Sequence, residues 1–217
     1  MSDRAPVVIV DVGLGNLRSV ERALHAALDA DTPLLATRDP GPIRDARVVV
    51  FPGQGAFGDC ATALSRDGGA LGRALRERVE SDRPYLGICL GLQVLFGSSE
   101  EAPGKGGLGV FEGAVRRFRE GARDADGALL KVPHMGWNRA HPTNEGARWM
   151  PQDDWYYFVH SYRVEPVDRS LVAAETEHGE PFVSAVARGH LLAVQFHPEK
   201  SQRAGLALLR RFVEAQL

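Results

Sequence analysis

Four consecutive apolar residues, Val7-Val8-Ile9-Val10, end at Asp11-Val12-Gly13. A run of that length predicts a strand buried on both faces. Leu17, Val20, Leu24 and Leu28 then recur three or four residues apart, which predicts a helix from about Leu17 to Asp29. The alternation continues. Leu34–Thr37 reads as a second strand closed by an Asp39-Pro40-Gly41-Pro42 turn, Val48–Phe51 as a third stopped by Pro52-Gly53, and Phe57–Ser65 as a helical stretch. Leu71, Ala74, Leu75 and Val79 mark another helix, with Arg73, Arg76, Glu77 and Arg78 on its wet side. Tyr85–Ile88 reads as a fourth strand, and Leu92, Val94, Leu95 and Phe96 as a buried helix behind it. Strand and helix in this rhythm predict a parallel sheet with helices on both faces.

Beyond the glycine-rich loop Gly104–Gly109 the pattern shortens. β-like runs appear at Val110–Phe118, Leu129–Val132, Tyr156–Val159, Leu171–Thr176, Phe182–Ala187 and Leu191–Phe196. Turn signals at Asp126-Gly127, Pro142-Thr143-Asn144 and His178-Gly179 separate them, which predicts hairpins and a mixed extension of the sheet. An amphipathic helix from about Ala204 to Ala215 follows. With no repeat, low-complexity tract or linker, the 217 residues read as one domain. The predicted fold class is α/β, a mostly parallel sheet flanked by helices with a mixed, antiparallel extension in the second half.

Composition changes this little. Hydrophobic residues at 44% and charged residues at 25% are ordinary for a globular chain and argue against disorder, collagen and coiled coil. A net charge of −2 gives no electrostatic footing for a nucleic-acid or anionic-membrane partner, and no apolar stretch is long enough to span a bilayer. Met1–Pro6 carries Asp3 and Arg4 and lacks the apolar core of a signal peptide. Two cysteines, Cys60 and Cys89, make no disulfide framework. A reducing, cytoplasmic setting is therefore expected, where a thiol stays free to react.

Cys89 has the more informative surroundings. Gly87-Ile88-Cys89-Leu90-Gly91 joins an apolar strand to an apolar helix. A nucleophile on so sharp a turn needs small residues two positions away on each side. The turn presents the sulfur at the carboxyl end of the sheet and aims it at a helix N-terminus, where partial positive charge favours thiolate. The Leu90 N–H is placed to donate to an oxyanion. The same residue reads as a small buried apolar side chain, as most free cysteines do, although that leaves the paired glycines unexplained. Cys60, inside a helical stretch, reads as structural.

A thiolate that attacks an amide needs a proton-transfer partner, and the partner needs an orienting group. His197 follows the strand Leu191–Phe196 directly and precedes Pro198-Glu199-Lys200, so it stands at the sheet rim with Glu199 near enough to fix its tautomer. His25, on the first helix, and His141, His178 and His190, in turns, read as solvated or satisfied side chains. Pro52-Gly53-Gln54-Gly55 also ends a strand. It is either an ordinary tight turn or a source of backbone N–H donors for a negative oxygen, and it lacks the Gly-Lys-Ser/Thr ending of a phosphate loop.

Taken in order, Pro52-Gly53-Gln54-Gly55, Gly87–Gln93 and His197-Pro198-Glu199 resemble the signature of class I (triad) glutamine amidotransferases. Gly13–Val20, Pro133–Asn138 and Phe158–Tyr162 resemble, within that class, the glutaminase subunits of imidazole glycerol phosphate synthase. The resemblance implies a flavodoxin-like α/β fold and a chemistry that calls for no cofactor and no metal. It implies that Cys89 attacks the side-chain amide of L-glutamine, that His197 moves the protons and that Glu199 holds His197. Gly53, Gln54 and Leu90 would form the oxyanion hole, and Gln93, Glu101, Ser161 and Tyr162 would hold the substrate. Asn16, Pro133, His134, Met135, Gly136, Trp137, Asn138 and Lys200 would lie near the partner, a (β/α)₈-barrel cyclase subunit. Two positions depart from the pattern: Val12 stands where tyrosine is common, and Gln54 where valine is common. Without the resemblance, Pro133–Asn138 reads as a plain hairpin with a buried Trp137. Three other functions compete: a glutaminase subunit for anthranilate, pyridoxal phosphate or guanylate synthesis, a stand-alone γ-glutamyl hydrolase or cysteine peptidase, and a non-catalytic α/β binding protein.

Overall fold

Alternate residues of the first strand point to opposite sides of the sheet. Val7 and Ile9 join one buried apolar cluster, Val8 and Val10 the other. This double burial is why the run is apolar without interruption. A computed structural model describes residues 5–123 and 126–216, so Asp3 and Arg4 lie outside it. In chain order the first half comprises β1 (Val7–Val10), α1 (Leu17–Ala27), β2 (Leu34–Thr37), α2 (Pro40–Asp45), β3 (Val48–Gly53), α3 (Phe57–Ser65), α4 (Ala70–Glu80), β4 (Tyr85–Cys89) and α5 (Leu90–Gln93). The second comprises β5 (Gly113–Arg117), β6 (His134–Pro142), β7 (Asp154–His160), β8 (Tyr162–Pro166), β9 (Val172–Glu177), β10 (Pro181–Arg188), β11 (Leu191–Val194) and α6 (Gln202–Glu214).

The strands order as β2-β1-β3-β4-β11-β10-β9-β6-β7, with β5 and β8 paired beside β10. β2, β1, β3, β4 and β11 are parallel, and β10, β9, β6 and β7 extend the sheet antiparallel. The parallel α/β sheet with an antiparallel extension in the second half, expected from the sequence, is thus the one observed. α1 and α6 pack together against the cluster containing Ile9, Leu86, Ile88 and Phe212, while α3 and α4 cover the face of Val8, Phe51 and Tyr85. Among the described residues no helix is long and apolar enough to cross a membrane.

Several elements differ from the sequence reading. The expected Asp39–Pro42 turn opens a helix: Asp39 Oδ1 accepts from Gly41 N at 2.9 Å and Pro40 sits in the first turn, where its missing N–H costs nothing. The helix after Cys89 lasts one turn. Leu108 N takes the Val94 carbonyl at 2.6 Å, and Gly107 lies so close that a Cβ there would stand 2.3 Å from Phe96 O. The glycine-rich loop therefore satisfies the carbonyls that a longer helix would have used. Leu129–Val132 forms no strand beyond a single Arg123–Leu129 bridge, and Leu129 is exposed. Where Pro133–Asn138 read as a hairpin, one strand, β6, runs on to Pro142 and takes in His141, which the sequence placed in a turn.

Candidate active site

β3, β4 and β11 lie side by side and parallel, in a register that pairs Gly53 with Cys89 and Ile88 with Val194. Three carboxyl ends therefore stand together, and three segments far apart in sequence meet at one rim. Cys89 holds φ 54°, ψ −102°, an unusual conformation for a residue with a side chain. Its flanking glycines are needed for contact reasons. A Cβ on Gly91 would lie 2.0 Å from Phe51 O, and one on Gly87 would lie 2.5 Å from Gly91 O. The paired glycines singled out in the sequence thus let β4 turn sharply against β3.

The sulfur opens into a cavity of about 260 Å³, whose walls include Gln54, Glu101, Tyr162, His197 and Lys200. His197 is buried, and its Nδ1 lies 2.8 Å from Glu199 Oε1, so the carboxylate accepts and Nδ1 carries hydrogen. Burial disfavours a charged imidazole, but the neighbouring Cys89 sulfur and the Glu199 carboxylate outweigh it and raise the His197 pKa to about 9. The opposite nitrogen, Nε2, is buried and closes no hydrogen bond of normal geometry. A sulfur, an imidazole and the carboxylate that orients it thus stand together at one cavity. α5 is a single turn, so its dipole is small. The expected support of the sulfur by a helix N-terminus gives way to support by its neighbours.

The other expected site residues fall into place unevenly. Gly53 packs on Leu90 so closely that a Cβ would lie 2.3 Å from Leu90 Cβ, which brings both expected sources of oxyanion donors together. Gln54 is half-buried, and Gly15 presses on it: a Cβ there would stand 3.0 Å from Gln54 N. Next to Gly15, Asn16 is exposed and caps α1, its Oδ1 accepting from Ser19 N at 3.3 Å. Ser161 and Tyr162 line the cavity. Glu101 does too, but its Oε2 already accepts from Phe57 N at 2.7 Å and so holds the start of α3. Gln93 is buried with its amide committed to protein, its Nε2 lying 3.3 Å from Tyr162 O and 3.1 Å from Gln195 Oε1.

The pleat of β6 divides the residues expected near a partner. Met135 and Trp137 face outward and are exposed, so Trp137 is not the buried residue of a plain hairpin. His134 faces inward and is buried, which keeps it from touching a partner directly. Pro133 is exposed, whereas Gly136 and Asn138 are half-buried. Lys200 sits at the cavity edge, its ammonium 5.7 Å above the Tyr157 ring. Cys60 is sealed in the core, where burial pushes its thiol up to about 12 and leaves it inert. Sequence reasoning missed Gln195. The available signal was a long polar side chain in the otherwise apolar run Leu191–Phe196.

The sequence matches the family described as glutamine amidotransferase class-I over residues 8–215. Among its relatives, the imidazole glycerol phosphate synthase subunit HisH of Methylococcus capsulatus is 47% identical over 210 residues, 95% of each chain. The HisH subunit of Nitrosospira multiformis is 48% identical over 211 residues, covering 95% of this chain and 96% of that one. Solved structures share the fold at lower identity. One described as a glutamine amidotransferase superposes with a TM-score of 0.71 at 21% identity, covering 97% of this chain and 98% of the other. The glutaminase domain of Trypanosoma brucei CTPS superposes with 0.64 at 17%, covering 98% and 93%. The chain belongs to the class-I glutamine amidotransferases and, within them, to the HisH subunits of imidazole glycerol phosphate synthase.

Proposed function

We propose that this chain releases ammonia from L-glutamine at Cys89 and delivers it to a separate (β/α)₈-barrel cyclase subunit. The supporting observation is the meeting of Cys89 with the His197–Glu199 pair at one cavity. The Cys89 thiolate adds to the side-chain amide carbon, and the resulting oxyanion takes hydrogen bonds from the N–H groups of Leu90 and the Gly53-Gln54 segment. His197 passes its proton to the departing nitrogen, which leaves as ammonia, while the γ-glutamyl group stays on sulfur as a thioester. Water then enters, His197 takes its proton, and the hydroxide displaces the thiolate to give glutamate. Glu199 keeps the imidazole in the required tautomer throughout.

Ammonia in neutral bulk water is mostly ammonium, which is no nucleophile. A glutamine-fed synthase therefore gains from passing it through a dry route to the second site. The exposed apolar Met135 and Trp137 on β6, with Asn16 and Lys200, form the face offered to the cyclase. There ammonia meets a ribulosyl aminoimidazole carboxamide nucleotide and yields imidazole glycerol phosphate and a carboxamide ribotide. The reading places the protein in the cytoplasm as one glutaminase domain.

The direct test is a glutamine-analogue electrophile. Mass spectrometry is expected to find the adduct on Cys89 and none on Cys60; labelling of neither, or of both alike, rejects the reading. A second expectation concerns the partner. Rotating the Gly53-Gln54 peptide adds or removes one oxyanion donor, worth about 3 kcal/mol of barrier. Glutamine hydrolysis is therefore expected to rise about a hundredfold when the cyclase and its nucleotide bind, measured as glutamate formed. Equal rates with and without them reject that switch.

A further inference from the structure

We propose that Gln195 is a further catalytic residue, donating an amide N–H to the Cys89 sulfur and holding it as thiolate. The proposal rests on Cys89 being the nucleophile. Gln195 is completely buried, and its Nε2 lies 3.5 Å from Cys89 Sγ, a normal distance for an N–H···S contact. The two ends of a side-chain amide look alike by shape, so which end faces the sulfur is a matter of hydrogen-bond logic. That logic is closed here. The Tyr162 main-chain oxygen only accepts, so the end of Gln93 facing it, 3.3 Å away, is its NH₂. The same nitrogen lies 3.1 Å from Gln195, whose facing atom must then be its oxygen. Gln195 is left with its NH₂ toward the sulfur. One backbone carbonyl thus fixes the polarity of two consecutive amides.

The chemistry needs such a donor. The single turn of α5 contributes little field, and Leu90 and Gly53-Gln54 serve the substrate oxygen rather than the sulfur. Around Cys89 the ionisable groups are His197, with Glu199 behind it, His160 at the end of β7, and Glu101, Tyr162 and Lys200 on the cavity wall. Of these, His197 gives its proton away during each turnover. A neutral amide keeps its donor in every step. It stabilises the thiolate before attack, releases it as the thioester forms, and receives it again when water expels the sulfur. The main chain of Gln195 is anchored separately, its N–H donating to Ser184 O at 2.8 Å, so the side chain is free to serve the sulfur.

The test is the pH dependence of Cys89 alkylation by iodoacetamide in the intact chain, read by peptide mass with buried Cys60 as the internal reference. Gln195→Met keeps the volume and removes the donor. It is expected to raise the alkylation midpoint by about one pH unit and to slow thioester hydrolysis about tenfold. A side chain that only fills space would leave the midpoint where it is. Gln93→Leu leaves Gln195 in place but removes what orients its amide, and a smaller shift in the same direction is expected. This second variant decides the matter if Gln195→Met does not fold. An unmoved midpoint in the folded variants overturns the proposal. A native Cys89 that ignores both iodoacetamide and the glutamine analogue overturns the nucleophile assignment instead.

Discussion

Cys89→Ala is expected to lower glutamine hydrolysis by at least about 10⁴-fold while the complex still makes product from added ammonia. The size follows from how the three residues act. In the proposed mechanism Cys89 supplies the bond-forming electrons, His197 the proton that makes nitrogen a leaving group, and Glu199 the orientation of His197. Residues that act as a unit lose nearly everything when one is removed. Ammonia from solution enters after the step that Cys89 performs, so a variant defective only there is rescued by ammonia, and one with a collapsed fold or a broken interface is not. Glu199→Gln gives the complementary signature. In the native chain the neighbouring sulfur and carboxylate raise His197 to about 9, so the acid survives through neutral pH and the rate declines as pH climbs through about 9. Loss of the carboxylate charge is expected to move that basic limb downward. A limb that stays near 9 in Glu199→Gln contradicts the role given to Glu199.

How much of this was readable in the sequence depended on distance along the chain. The elements β1, β2, α3 and β4 carry their own punctuation, and the Gly-x-Cys-x-Gly turn announces a steric demand that the 2.0 Å approach of a Gly91 Cβ to Phe51 O explains. What was hidden depended on partners. The length and facing of β6 were hidden because its inward residues, His134, Gly136 and Asn138, are polar or small. The inward face is filled by a hydrogen-bonded histidine network rather than by the apolar residues that periodicity detects. α5 was overextended because nothing in Leu92–Phe96 reveals that Leu108, Val110 and Phe111 will return to take the Val94 and Leu95 carbonyls. Cys89 and His197 were legible as reactive types, but their meeting required the order β3-β4-β11. Gln195 became a site residue only through that same order.

Acid is expected to unfold this protein early, because two of its buried histidines have no room for a second proton. His160 Nδ1 lies 2.8 Å from Tyr162 O, so that nitrogen carries hydrogen and His160 Nε2 accepts from His134 Nδ1 at 3.0 Å. His134 Nε2 in turn accepts from Asn138 Nδ2 at 3.1 Å. In the neutral state the ring nitrogens of both histidines are partnered, and an added proton would set donor against donor. The rings are also wedged: His134 stacks on His178 at 4.2 Å and on Phe158 at 4.8 Å. Burial, followed by the charges of neighbouring histidines, lowers His134 to about 2. Burial also lowers His160 to about 3, against the opposing effect of its hydrogen bond to the Tyr162 carbonyl. Unfolded, both groups bind protons below about 6.5. Between there and pH 3 the unfolded chain therefore holds protons that the folded one refuses, and stability falls as pH falls. Each group contributes about 1.4 kcal/mol per pH unit, so the pair removes roughly 5 kcal/mol between pH 6.5 and 4.5. That is comparable with the whole stability of many domains. His197 does not offset this loss: with its pKa raised, its contribution is complete below 6.5 and declines only as pH rises toward 9. Urea denaturation at pH 7, 6, 5 and 4.5 is expected to show the decline, and His134→Phe, which keeps a stacked ring and drops one titrating group, is expected to halve its slope. A stability that stays level from pH 7 to 4.5 would show that these rings accept protons in the folded state.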